Sequence, residues 1–243
     1  AIVFGLRLNG GATCIAPRRV FVPRDLLPAL ERHLLPLAAQ LPAVPLATTA
    51  RERIIDLLHE AVTQGARASR PLPTATDTDM TPIVILDARP ECELLKADIF
   101  APIIALVAID RLQEALELDA QCPYALGASV FGPEPAARAF ATRIRAGSIV
   151  INDLIVPTAD PRLSFGGRDE SGYGVTRGVA GLLEFTRIKT VSTRHGQFRP
   201  HYQPSHADDA GLFTAYLEAA HAISWRKRLR ALARILIGLS KRG

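Results

Sequence analysis

Cysteine is scarce in this sequence. There are three, Cys14, Cys92 and Cys122. None lies in a C-x-x-C pair, and no Cys/His cluster has zinc-ligand spacing. A disulfide framework and a structural zinc site both drop out, and a reduced cytoplasmic protein is the simple reading. Aromatics are also few, at 6% of residues, with one tryptophan, and there is a single methionine. The apolar mass is therefore mostly aliphatic. No apolar run is long enough to span a bilayer. Ala1 to Gly5 is apolar but follows no basic segment, which argues against a signal peptide. An initiator Met is lacking too, and the sequence opens inside an apolar pattern, as the cut end of a longer protein would. There is no internal repeat. Nor is there a basic surplus along the body. The net charge is +5, but Arg226, Lys227, Arg228, Arg230, Arg234, Lys241 and Arg242 crowd the last stretch. The charge balance thus does not argue for a nucleic-acid-binding protein.

What is present is a core-forming chain. Its 243 residues are 48% hydrophobic, enough for one large domain or two small ones. Arg19–Val22 reads as a strand. Pro23–Gln40 reads as a leucine-lined helix that Pro28 and Pro36 should break or kink. Thr49 and Glu52 form a capping box opening a helix that Gly65 ends. Residues 70–81 read as a polar loop. Strands follow at Pro82–Leu86, Ile103–Ile109, Ala128–Phe131 and Ser148–Asn152. Helices fall between them at Arg111–Gln121, capped by Asp110 and Gln113, and at Pro133–Ala146. A glycine-rich loop, "LSFGGRDESGYG", precedes a short helix at Gly178–Glu184 and a strand at Ile188–Thr193. This rhythm predicts a three-layer α/β fold, a mostly parallel sheet flanked by helices.

In "LNGGATCIAPRRVFV", Leu8 to Val22, Cys14 sits behind Gly10 and Gly11. Glycines let a backbone approach another group closely. The thiol could be a nucleophile, a metal ligand or core filling, and a lone cysteine is more often a small buried hydrophobe. Nearby backbone N–H groups favour the nucleophile, since they can lower a thiol's pKa and hold an oxyanion.

The same segment resembles the catalytic-cysteine motif of the aldehyde dehydrogenase superfamily, N-x-G-Q-x-C-x-A-x-x-R-V-x-V. Asn9, Gly11, Cys14, Ala16, Arg19, Val20 and Val22 match, and Ala12 stands where Gln is usual. "ADIFAPIIALVAID" resembles the family's E-x-F-G-P-V segment, with Asp98 for Glu and Ala101 for Gly. "YALGASVF", "IRAGSIVIND", "LSFGGRDESGYG" and "GLLEFTRIKTV" resemble further family segments in the family's order. The resemblance covers about Ala1 to Val191, and the stretch between Val22 and Asp98 is shortened.

The resemblance implies oxidation of an aldehyde to a carboxylic acid, with NAD or NADP as cofactor. Cys14 would be the nucleophile, passing through a thiohemiacetal and a thioester. Asp98 would accept hydrogen bonds from the nicotinamide ribose. Phe100 would pack beside the nicotinamide, and Phe165 would line the aldehyde tunnel. The family's cofactor-binding half, its general-base Glu and its oxyanion Asn lie upstream of the cysteine and have no counterpart in these residues. Two rival readings are a non-catalytic scaffold homologue and an enzyme that passes the acyl group to coenzyme A. No metal is expected, and His195, His201 and His206 show no known ligand spacing. The family's homo-oligomers form through a strand near its C-terminal end, here Ile188–Thr193.

The organisation expected is a catalytic region at 1–193, a linker at 194–210 and a basic amphipathic helical tail at 211–243. In the tail, Leu229, Leu232, Ala233, Leu236 and Ile237 share one face. Such a helix could make weak contact with an anionic membrane surface. Docking on its own or a neighbouring subunit is the favoured reading.

Overall fold

The structure is a computed structural model that describes residues 1–240 except 198, 200, 201 and 203. His201, Lys241 and Arg242 therefore lie outside the described residues. The chain divides into two compact units, Ala1–Ile188 and Lys189–Gly243.

The first unit is built on a four-stranded sheet. Its strands are β1 (Arg19–Pro23), β6 (Ile103–Ile109), β5 (Ile83–Leu86) and β3 (Arg67–Ala68), in that spatial order. β1, β6 and β5 are parallel, and β3 is an antiparallel edge. β6 and β5 are almost wholly aliphatic, as strands covered on both faces must be. Alternate residues serve opposite layers. Val84, Leu86, Ile104 and Leu106 meet Leu27, Leu34 and Ala38 of helix α2 (Leu27–Ala39) and Leu6 of helix α1 (Ile2–Arg7). Ile83, Ile85, Ile103, Ala105 and Val107 meet Ile54, Leu58 and Ala61 of helix α3 (Thr48–Thr63). Two short strands, β2 (Val44–Pro45) and β4 (Asp79–Met80), pair antiparallel, so the polar loop read at 70–81 carries a strand at its end. A separate parallel pair joins β7 (Gly127–Val130) to β8 (Ser148–Ile151). Helices α4 (Leu112–Asp119), α5 (Glu134–Ala141) and α6 (Gly178–Glu184) complete this unit.

Several local expectations are corrected. Pro28 falls in the first turn of α2, where its missing N–H has no helical acceptor, and Pro36 in the last turn does not divide the helix. Helix α3 begins at Thr48, so Thr49 is inside it and no side chain caps it. Asp110 does not cap α4. Glu114 accepts the Asp110 backbone N–H at 2.8 Å instead, and Gln113 accepts from Arg143. Helix α5 stops at Ala141, before Ile144 to Gly147. Ile188–Thr193 forms no strand, since no neighbour provides a ladder within the described residues, and Ile188 and Val191 are exposed.

The second unit is an antiparallel hairpin of α7 (Asp209–His221) and α8 (Trp225–Ser240). Among the described residues no helix is long and apolar enough to cross a membrane.

Candidate active site

The Cys14 loop lies just outside the amino ends of β1 and β6. Helix α1 runs into a short 3-10 turn, Leu8–Gly11. Asn9 and Gly10 are left-handed there, with φ of 50° and 60°. Asn9 holds that bend itself, its Nδ2 donating to Ala12 O at 3.0 Å. The chain then turns again, Ala16 N–H donating to Thr13 O at 2.8 Å. Cys14 is a central residue of that turn and its thiol is exposed, whereas Cys92 and Cys122 are buried. Burial pushes the Cys92 thiol pKa up.

Gly11 is where the loop meets the sheet. Its φ is +72°, and a Cβ there would sit 2.7 Å from Ala101 O and 2.8 Å from Pro102 Cα. Both opposing atoms are backbone and cannot swing away. Gly11→Ala should therefore lower stability by roughly 2–4 kcal/mol through left-handed strain and displacement of the β6 entry. Urea denaturation measures it, and a loss under half a kcal/mol would mean that the approach is not as close as described.

Arg18, one residue before β1, joins this loop to the segment before β6. Its guanidinium donates to Gly11 O at 3.0 Å, to Ala101 O at 3.1 Å and to Thr13 O at 3.4 Å. It also lies over the Phe100 ring, 5.8 Å from the centroid. Burial pushes its pKa down, while the negative forms of Asp98 and Cys14 favour its charge. The sequence reading missed Arg18, because the motif places its arginine at Arg19. Arg19 instead pairs with Asp119 at 3.1 Å, tying β1 to the end of α4.

Asp98 and Phe100 are exposed on the segment entering β6. They line a cavity of about 260 Å³ together with Thr49, Ala50, Arg53 and Leu57 of α3. Arg53 was not singled out from sequence either, since α3 reads there only as an amphipathic helix. A carboxylate, a cation and an aromatic edge around one cavity suit a ligand with hydroxyls and a flat ring. Arg18 thus brings the Cys14 loop, Asp98 and Phe100 together.

Phe165 belongs to the glycine-rich loop. It is half-buried, pairs with Thr176 through backbone bonds of 2.8 and 2.7 Å, and carries the Arg177 guanidinium 4.8 Å over its ring. That loop packs on β8, because a Cβ at Gly147 would meet Gly166 O at 1.9 Å. β7 reaches the Cys14 loop at Gly127, where a Cβ would lie 3.3 Å from Ile15. Asn152 ties the ends of β7 and β8, exchanging two bonds of 2.8 and 2.9 Å with the Gly132 backbone.

A larger cleft of about 510 Å³ opens at the other ends of the strands, lined among others by Arg24, Asp87, Arg89 and Glu114. Arg24 is already paired with Asp110 at 2.6 Å, and that cleft offers no nucleophile.

The family model of the aldehyde dehydrogenase family matches residues 1–191. Aldehyde dehydrogenase LUC3 of a Fusarium species is 32% identical over 198 residues, covering 77% of this chain and 42% of the relative. Benzaldehyde dehydrogenase [NAD(+)] of Pseudomonas putida is 30% identical over 206 residues, covering 78% of this chain and 41% of the relative. The chain thus spans about two fifths of the length of these relatives. Among solved structures, aldehyde dehydrogenase C of Pseudomonas syringae, a mutant in complex with NAD+ and octanal, is similar with a TM-score of 0.67 and 26% identity. That match covers 76% of this chain and 41% of that one. A salicylaldehyde dehydrogenase of Pseudomonas putida G7 shares the fold, with a TM-score of 0.76 at 22% identity, covering 82% of this chain and 44% of that one.

Proposed function

Because the chain belongs to the aldehyde dehydrogenase family, we propose that it supplies the nucleophile and part of the cofactor site for oxidation of an aldehyde to a carboxylic acid. The observation that carries this reading is the exposed Cys14 thiol in a loop that Arg18 fastens to Ala101, next to Phe100. Cys14 as thiolate attacks the carbonyl carbon, forming a C–S bond, and the carbonyl oxygen takes the negative charge. The Cys14 backbone N–H donates to that oxygen. NAD or NADP, when bound, supplies the two-electron acceptor that turns a thiohemiacetal into a thioester. Asp98 would accept from its ribose hydroxyls, and Phe100 and Arg53, on the same cavity, would hold its nicotinamide end. Phe165 would line the substrate's path. Water then cleaves the thioester and returns Cys14 to a thiolate.

Cys14 must stay reduced for this, which fits a cytoplasmic setting. A homo-oligomer also belongs to the reading. Among the described residues Ile188–Thr193 has no ladder partner, and it exposes Ile188 and Val191, so a neighbouring subunit would complete it.

Alkylation tests the nucleophile. Iodoacetamide at neutral pH should modify Cys14 about tenfold faster than glutathione, given the electropositive setting that Arg18 supplies. Cys92 and Cys122 should stay unmodified in the folded protein. A Cys14 rate equal to that of glutathione would mean an accessible but unactivated thiol and would count against the reading. Analysis of the products with and without coenzyme A tells hydrolysis from acyl transfer.

A further inference from the structure

The hairpin of α7 and α8 has two unlike faces. Ala215 and Ala231 are its buried contacts, and a Cβ at Gly238 would meet Leu212 at 2.4 Å. These contacts and the ion pair of Glu218 with Arg234 fix the helices as antiparallel neighbours. Glu218 and Arg234 each lie three residues past the inward alanine and meet on one side. Tyr216 and Leu232 each lie one residue past it, so they fall on the opposite side. On that side α8 carries Trp225, Leu229, Leu232, Leu236 and Leu239, spaced alternately four and three residues apart. All five are exposed, as are Tyr216 and Phe213 beside them on α7.

The turn between the helices extends this face. Ile223 is 103% exposed and Trp225 is 65% exposed. Four cations follow at once, Arg226, Lys227, Arg228 and Arg230. Arg226 lies 5.7 Å from the Trp225 ring centroid, and Arg228 donates to Ala222 O at 2.7 Å, fixing the turn. Helix α8 has no acidic residue at all.

We propose that this hairpin docks on the surface of an anionic phospholipid bilayer, with Ile223 and Trp225 entering first and the leucine stripe lying in the interface. A long apolar stripe with aromatic residues, backed by an arginine-rich face, is the pattern of an in-plane interfacial helix. The charge decides the occupant. Arg226, Lys227, Arg228 and Arg230 have no acidic residue on α8 to pair them, and an anionic surface supplies the negative charge that this stretch lacks. This inference stands on the hairpin alone, independently of the chemistry at Cys14.

Trp225 is the only tryptophan in the sequence and reports directly. The full chain is mixed with vesicles of phosphatidylcholine alone, or of phosphatidylcholine and phosphatidylglycerol two to one. The expected result is co-sedimentation and a blue shift of Trp225 emission with the anionic vesicles only. Binding should weaken by roughly fivefold for each of Arg226, Lys227 and Arg230 changed to Gln, and Ile223→Glu with Leu232→Glu should abolish it. Circular dichroism checks that every variant remains helical. Equal binding to neutral vesicles, or none to either, overturns the proposal. It is also overturned if Trp225 emission is already blue without lipid and moves red in Leu232→Glu, because the face is then covered by protein, either this chain or a second copy.

Discussion

Under the role proposed for the thiol, Cys14→Ala should eliminate aldehyde oxidation when this region is joined to a cofactor-binding half. A nucleophile forms the bond that every later step depends on. Its removal should therefore cost at least about 10⁴-fold in kcat, while KM for the dinucleotide stays nearly unchanged. Stability should move by no more than about 0.5 kcal/mol, because the side chain is exposed and belongs to neither core cluster. The control is Cys92→Ala. That thiol is 1% exposed within the cluster under α3, so its loss leaves a cavity and should cost about 1–2 kcal/mol. Turnover per folded molecule should be untouched. Steady-state kinetics and urea denaturation on both variants separate chemistry from packing. Substantial residual turnover in Cys14→Ala removes the role assigned to that residue.

The contrast between these two cysteines shows what one sequence can carry. The strand at Ile103 is legible because an uninterrupted aliphatic run has few other solutions in a covered parallel sheet. Helix starts are less legible. The box at Thr49 and Glu52 has the right residue types, yet α3 begins one residue earlier and leaves it unused. At α4 no side chain caps the helix, and Glu114 instead accepts from the Asp110 N–H just outside it. Local hydrogen bonds of similar energy compete at such ends, and spacing alone does not choose among them. Ile188–Thr193 reads as a strand by its β-branched residues, but composition specifies no partner for a strand. Asp98 and Phe100 are legible through a family resemblance, and the fold then places them on one cavity with Arg53. Arg18 leaves no trace of either kind. Its bonds reach Gly11 seven residues back and Ala101 eighty-three residues on, and no local pattern registers the second.

Arg18→Met is accordingly the most informative substitution away from the thiol. It keeps the length of the side chain and removes every donor. Gly11 O, Ala101 O and Thr13 O then lose a charged partner in a partly buried place, where such bonds are worth about 1.5–3 kcal/mol each. Part of that sum is offset, because a desolvated cation is also removed. A net loss of roughly 2–4 kcal/mol is expected in urea denaturation. The second effect is on reactivity. With the loop released and the positive charge gone, the Cys14 alkylation rate should fall to that of a free thiol in protein that is still folded. Arg18→Lys separates the two causes. Lysine keeps a charge near the loop but is a point donor, unable to span three carbonyls as a planar fork does. It should recover part of the reactivity while remaining nearly as unstable as the methionine variant. If Arg18→Met leaves the Cys14 rate unchanged, Arg18 only fastens the loop to the sheet. If Arg18→Lys restores stability but not the rate, the geometry of the guanidinium, and not its charge, sets the thiol's reactivity.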